Sequence, residues 1–407
     1  MPEIPTLRPH LARRVAIVGA GVVSPLGMGV QETIVSLQEA VDCVTPVTSF
    51  PVEACRCKTA GQIPNARLFE QSTLHRKSRR LHRAAHMLTR AVGEALAQDR
   101  HYSPELTVAG TTSGGMSHGE EYYRALQQNG SVRKAGRWIA NYPPQKPILD
   151  ALEANGIDSP CQVIANACAS GTNAIGHAFE CVHSGRYERV LAGGYDALSE
   201  LVFVGFDSLQ ASTPEKCRPF DRQRSGMVLG EGAAILALES YDSAEARGAT
   251  ILAEIIGYGL STDNHHLTQP DPSGVGPRQA MERALHSAGI SAENVDYINA
   301  HGTATPFNDA AEGKAISELF GNRVPVSSTK SMMGHSLGAA GAIEAIIAML
   351  ALERQFFPPN INFREADKEI DLDIVANHAR QGRIGTVLSN SFGFGGTNAA
   401  ILMRKAA

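Results

Sequence analysis

The 407-residue chain reads as an α/β protein in which one large unit occurs twice. Short apolar runs alternate with helical patterns from end to end, the rhythm of strands covered by helices. The extended run Val15 to Pro25, which closes on Gly-Val-Val-Ser-Pro, returns as Thr250 to Thr262, which closes on Gly-Leu-Ser-Thr. Cys161 to Cys168, followed by a Gly-containing helix, is matched by Val324 to Lys330, followed by a helix from Gly334 to Leu352. A unit this large is a duplicated domain rather than a solenoid repeat of ~20 to 50 residues. The boundary is placed at Gly248, giving halves 1–248 and 249–407.

The elements follow in order. Arg14 to Val23 is a buried strand; Arg13 and Arg14 before it imitate a signal peptide, but no small-residue cleavage site follows. Lys77 to Gln98 is helical, Glu105 to Gly110 a strand and Gly171 to Ser184 a helix. Val190 to Gly194 and Ala233 to Leu238 are strands, and Ser243 to Gly248 a small charged helix and turn. In the second half, Gly276 to Gly289 is a helix, Asp296 to Asn299 a strand and Ala310 to Phe320 a helix. Ile343 to Leu352 is the greasiest stretch, but it carries Glu344 and falls well short of the ~20 apolar residues of a membrane span, so it is a core helix.

Composition narrows the function. Apolar residues make up 43% and charged residues 19%, which excludes a disordered or fibrous chain. A net charge of -4 supplies no global field for nucleic acid or anionic lipid, so neither is expected as a partner. The seven cysteines are odd in number and lack paired CxxC spacing, which argues against a disulfide framework or a zinc site and favours a reducing cytoplasm.

Four segments carry chemistry. Asn166-Ala-Cys168-Ala-Ser-Gly171 places a thiol between a strand and the first turn of a helix, where free N–H groups and the helix dipole lower a thiol pKa and bind an oxyanion. A buried structural cysteine is the competing reading, applied to the other six. Asn299-Ala-His301-Gly-Thr303-Ala-Thr305 sets a histidine after a strand in a loop suited to an extended polar arm. Ser328-Thr-Lys330-Ser-Met-Met-Gly-His335 adds a lysine and a second histidine at another strand-to-helix junction, whereas His265 and His266 read as surface residues. Asn390 to Asn398 sets three glycines around Phe392 and Phe394, either a special backbone path beside a ligand or a plain hairpin. Gly19-Ala-Gly21-Val-Val-Ser24 fails the GxGxxG pattern and no GxxxxGK[ST] occurs, which disfavours nucleotide binding.

Taken together, the Cys168 elbow, Arg218-Pro-Phe-Asp221 with Gly230-Glu-Gly232, the His301 loop, Ser327 to Gly341 and Asn390 to Asn398 resemble the β-ketoacyl-acyl carrier protein synthases, in the synthase II group of bacterial fatty acid synthesis, over nearly the whole length. The resemblance implies a thiolase-like fold: two mixed five-stranded sheets with helices in five alternating αβαβα layers, usually dimeric. It implies that Cys168 takes an acyl group from a carrier protein, with the N–H groups of Cys168 and Phe394 as oxyanion hole. His301 and His335 would stabilise the enolate left when malonyl-carrier protein decarboxylates, so no redox or organic cofactor and no metal is expected. Lys330 would order the histidines through Glu344 and Asp309. Thr303 and Thr305 would bind the phosphopantetheine arm, Phe394 would gate the cysteine, and Ser113 and Phe392 would border the acyl pocket. The basic stretch Arg76, Lys77, Arg79, Arg80 and Arg83 offers a dock for an acidic carrier protein, with a solvated helix face as the competing reading.

Departures from the family pattern bear on substrate. Asn166 replaces a Thr or Ser, Ala304 a small polar residue or Gly, and Ser225 and Met227 an Asp and a Phe. Ser113 in Thr111-Thr-Ser113-Gly-Gly-Met116 stands where a bulky aliphatic is frequent, which suggests a wider acyl tunnel and a polyene or other unusual chain. Two further readings compete: the catalytic half of a heterodimer with a chain-length factor, and a non-elongating partner subunit. The second conflicts with the presence of Cys168, His301, Lys330 and His335. A thiolase would need a second cysteine near the C-terminus, and none follows Cys217.

Overall fold

The computed structural model describes residues 12–69, 81–99, 101–129, 136 and 138–406. Among the described residues ten strands build the core, β1 (Val15–Val23), β2 (Leu106–Gly110), β3 (Cys161–Ile164), β4 (Arg189–Asp196), β5 (Gly232–Ser240), β6 (Ala253–Thr262), β7 (Tyr297–Asn299), β8 (Pro325–Ser327), β9 (Thr386–Gly393) and β10 (Thr397–Lys405), and the two-residue strand Asp373–Ile374 adds an eleventh beside β8 at the edge. Across the first half they are ordered β3-β2-β4-β5-β1, and across the second β8-β7-β9-β10-β6. Adding five to each label of the first half yields the second. Directions repeat too: β2 is parallel to β3 and β4, with β4, β5 and β1 antiparallel in turn, and β7, β8, β9, β10 and β6 follow the same scheme.

The sheets meet where β1 pairs with β6 over three residues, Val15 with Ile255 through Ile17 with Ala253. Glu254, 1% exposed, accepts hydrogen bonds from Arg14 and Arg404 at this seam. Helices α1 (Arg83–Ala97) and α2 (Lys146–Ala154) cover the outside of the first sheet. Helix α3 (Ser170–His183) and its counterpart α6 (Ala340–Arg354) lie between the sheets and pack against both, while α4 (Val275–Ala288) and α5 (Pro306–Phe320) cover the second. That is the five-layered, duplicated fold expected. Because α6 touches protein on every side it is apolar all round, and Ile343, Ile346, Ile347 and Leu350 are each fully buried; each such side chain contributes about 1.5–3 kcal/mol.

Three helix starts differ from those expected, and that of the helix expected from Ala310 lies four residues earlier, at Pro306. The helix expected from Lys77 is described only from Arg83, capped by His82, whose ring accepts from the Ala84 N–H. Residues 70–80, and with them Arg76, Lys77, Arg79 and Arg80, lie outside the described residues. The helix expected from Gly334 starts at Ala340, because Lys330–Met333 and Leu337–Ala339 form separate short turns around His335.

Candidate active site

The strand β3 ends three residues before Ala167, whose φ of 57° lies in the left-handed region. A non-glycine residue there is strained, and the surroundings hold it in place: its carbonyl accepts from the Ser170 hydroxyl at 2.6 Å and the Thr112 hydroxyl at 3.0 Å. The sharp turn brings Cys168 to the start of α3 with the N–H groups of Phe394 and of Cys168 itself directed at its sulfur. Phe394 arrives from the other half of the chain. The β9–β10 hairpin turns through Gly395 and Gly396, both at positive φ, and Gly393 passes so close that a Cβ there would sit 3.1 Å from the Cys168 nitrogen. The Asn390 to Asn398 segment is therefore both a hairpin and the special path beside the thiol.

Folding reverses the low thiol pKa expected from the helix terminus. Cys168 is 5% exposed, and burial pushes its thiol up to about 12 against the pull of Lys330 and the two N–H groups. Loss of hydration outweighs the helix terminus.

His301 and His335 face the same cavity, with ring centroids 5.2 Å apart and nearly perpendicular planes. Burial, with Lys330 adding to it, holds both imidazoles well below their usual range, so both are neutral. The Nδ1 atom of His301 and both ring nitrogens of His335 are buried without a hydrogen-bond partner among the described residues. Each neutral ring therefore offers one donor and one acceptor to whatever enters. Lys330 is fully buried and pairs with Glu344, whose carboxyl burial pushes up to about 7 against the pull of that ammonium.

Asp309 does not join this pair. Its carboxylate accepts from the Phe220 and Ala304 N–H groups at 2.7 and 3.2 Å, and so fixes the loop that carries Thr303 and Thr305. The residue that braces His301 is Glu312, which is not among the residues singled out from sequence: it accepts the N–H groups of His301 and Gly302, each at 2.8 Å, and the Asn390 amide. A signal was present, since Asp309 and Glu312 lie three residues apart on the first turns of α5 and so share a face below the His301 loop.

An open cavity leads down to Cys168. Its wall contains Thr303 and Thr305, whose hydroxyls are 2.9 Å apart, together with Phe392 and Phe394. Ser113 does not line it; that residue is buried, and its hydroxyl donates to Asp196 at 2.7 Å. Arg83, read with the basic stretch, instead turns inward onto the fully buried Glu231. His265 and His266 are exposed, as expected. The combination of a thiol facing two N–H donors with two neutral imidazoles above it suits covalent acyl transfer followed by stabilisation of a second oxyanion.

The β-ketoacyl synthase N-terminal domain model matches residues 12–244 and the C-terminal domain model residues 252–364. The chain belongs to the β-ketoacyl synthase family. A 3-oxoacyl-[acyl-carrier-protein] synthase 2 of Staphylococcus aureus (strain COL) is 38% identical, over 97% of this chain and 98% of that protein. Among solved structures, the ishigamide ketosynthase/chain length factor superposes with a TM-score of 0.91 at 33% identity, over 97% of this chain and 100% of its own. A type II PKS acyl-carrier protein in complex with its ketosynthase, bound to the hexaketide, gives 0.87 at 30% identity, again over 97% of this chain and 100% of that one. The fold of this β-ketoacyl synthase is thus the thiolase-like ketosynthase fold.

Proposed function

We propose that this chain is a 3-oxoacyl-[acyl-carrier-protein] synthase in which Cys168 is the acyl-carrying nucleophile. The observation that carries the reading is the convergence of two N–H groups on the Cys168 sulfur beneath two neutral imidazoles in one cavity. The thiol proton passes to an imidazole as sulfur attacks the acyl thioester. The oxyanion is held by the N–H groups of Cys168 and Phe394, and the carrier thiol leaves with the proton. Removing one such donor typically costs about 10²–10³ in rate. Malonyl-carrier protein then loses carbon dioxide. The imidazoles of His301 and His335 donate to the enolate oxygen, its carbon attacks the acyl carbonyl, and the Cys168 sulfur departs as a thiolate that takes a proton from water to restore the thiol. Decarboxylation itself generates the carbanion, so the reaction calls for no strong base and no redox or organic cofactor. Thr303 and Thr305 line the passage that a phosphopantetheine arm would occupy.

The carrier protein is the expected partner, in line with the neighbour solved as a carrier protein–ketosynthase complex. The first sheet ends at β3, which pairs only with β2 on one side among the described residues and is partly exposed; such an edge suits pairing with a second subunit. A heterodimer with a chain-length factor is favoured as a second reading by the likeness to the ishigamide ketosynthase/chain length factor. No described helix is long and apolar enough to cross a membrane, which is compatible with a cytoplasmic site. The test is to incubate the purified protein with acyl- and malonyl-carrier protein and follow the product by mass. A 3-oxoacyl-carrier protein two carbons longer supports the reading, whereas its absence, both alone and with a chain-length factor, overturns it.

A further inference from the structure

Asp196, the last residue of β4, is fully buried and absent from the cavity wall. Its Oδ1 accepts from the Thr111 hydroxyl at 2.7 Å, the Ser113 N–H at 2.8 Å and the Ser113 hydroxyl at 2.7 Å. Its Oδ2 accepts from the Thr112 N–H at 2.8 Å and the Gly338 N–H at 2.7 Å. The first segment passes the constraint on, because the Thr112 hydroxyl donates to the Ala167 carbonyl beside Cys168. The second follows His335 by three residues, and Leu337 beside it holds a left-handed φ of 52° and packs in the apolar cluster that contains Cys168.

We propose that Asp196 is a positioning residue for the condensation, one carboxylate that locks the Thr111–Ser113 loop, the Cys168 elbow and the backbone behind His335 into a single frame. The inference rests on Cys168 being the acylated nucleophile. Ionised hydrogen-bond acceptors form the stronger bonds, and a buried carboxylate with all its donors satisfied specifies one arrangement of the segments around it. Burial raises the Asp196 carboxyl against the pull of these donors, and in its ionised form the charge carries a cost for the chemistry. Asp196 opposes ionisation of Cys168 while Lys330 favours it, and His301 and His335, the other titratable groups over the thiol, are neutral. Positioning and thiolate formation therefore pull in opposite directions at this residue, which makes the two separable.

Two variants test the idea in the full-length protein: Asp196→Asn, which removes the charge, and Thr111→Val, which keeps the charge and the side-chain shape but deletes one donor to Asp196 together with the acceptor of the Gly114 N–H. Two rates are read: the pH profile of Cys168 alkylation by iodoacetamide, by peptide mass spectrometry, and acyl transfer to Cys168 from an acyl-carrier protein. For Asp196→Asn, alkylation at pH 9 should rise at least threefold while acyl transfer falls at least tenfold. For Thr111→Val, alkylation should be unchanged and acyl transfer several-fold slower. Parallel loss of both rates with loss of folded protein in Asp196→Asn, together with wild-type acyl transfer in Thr111→Val, would reduce Asp196 to a structural residue and overturn the proposal. If Asp196→Asn does not fold, Thr111→Val alone decides. A wild-type protein that takes no acyl group overturns the assignment of Cys168 and with it this role for Asp196, whereas an acylated wild type with unchanged acyl transfer in both variants overturns the proposal for Asp196 alone.

Discussion

Replacing Lys330 with Met separates what the buried ion pair does for stability from what it does for the thiol. Lys330 and Glu344 have fully buried side chains, and each is the other's partner. Deleting the ammonium strands a carboxylate, and breaking a buried pair in this way typically costs about 3–5 kcal/mol. The cost depends on pH. Burial already holds the Glu344 carboxyl up at about 7 with Lys330 pulling it down, so without Lys330 it titrates higher still. A carboxyl raised in the folded state keeps its proton where the unfolded chain, titrating near ~4.3, has lost it. Stability then falls as pH rises through that window, by about 1.4 kcal/mol per pH unit, and levels off above the folded value. In Lys330→Met the window extends above 7, so the deficit against wild type should be small at pH 6 and larger at pH 8.5, as read by urea denaturation. Lys330 also favours the Cys168 thiolate, so alkylation by iodoacetamide should slow at every pH, about tenfold if the thiol pKa rises by one. The double variant Lys330→Met/Glu344→Leu should recover most of the stability, because a well-packed apolar pair is often no worse than a buried ion pair, yet keep the slow alkylation. An equal deficit at both pH values, or wild-type alkylation in Lys330→Met, would refute this role for the pair.

Four other outcomes follow from the site. His301→Ala should still acquire an acyl group on Cys168 but decarboxylate malonyl-carrier protein at least about 10²-fold more slowly, and wild-type condensation should lose no rate to imidazole protonation between pH 8 and 6, since both rings stay neutral; radiolabelled carbon dioxide release measures both. Gly393→Ala places a Cβ 2.7 Å from the Thr397 hydroxyl and 3.1 Å from the Cys168 nitrogen. It should cost about 1–3 kcal/mol by denaturation and slow acylation more than tenfold. Ser113→Ile removes a donor from Asp196 and crowds a buried site, so it should destabilise by about 1–3 kcal/mol, with any narrowing of the acyl range accompanied by that loss.

The sequence exposes those parts of the site that depend on local chain chemistry. A thiol at a strand-to-helix turn, histidines after strands and a glycine-rich hairpin are written in consecutive residues, and the duplicated order of β1–β5 and β6–β10 follows from a repeat visible in the apolar runs. What stays hidden depends on distant partners. Asp196 looks like any acid after a strand until the donors of Thr111, Ser113 and Gly338, 85, 83 and 142 residues away, close on it. Glu312 differs little from its neighbours until the His301 loop folds over it. Asp309 takes different partners from those expected because proximity in a motif does not say which backbone amides a carboxylate will face. The Cys168 thiol departs from expectation for a related reason. The helix terminus is legible in sequence, whereas the depth of burial that outweighs it comes from Phe203, Met227, Leu229 and Leu337 in other segments. Ser113 reads as space made for a substrate because its partner, Asp196, lies on another strand.

The most direct measurement of the role given to Cys168 is the mass of its peptide after exposure to saturated, unsaturated and aromatic acyl-carrier proteins, with Cys168→Ser alongside. An acyl adduct on the Cys168 peptide is predicted in wild type and none in the variant. An adduct on another residue, or condensation that persists in Cys168→Ser, would contradict that role.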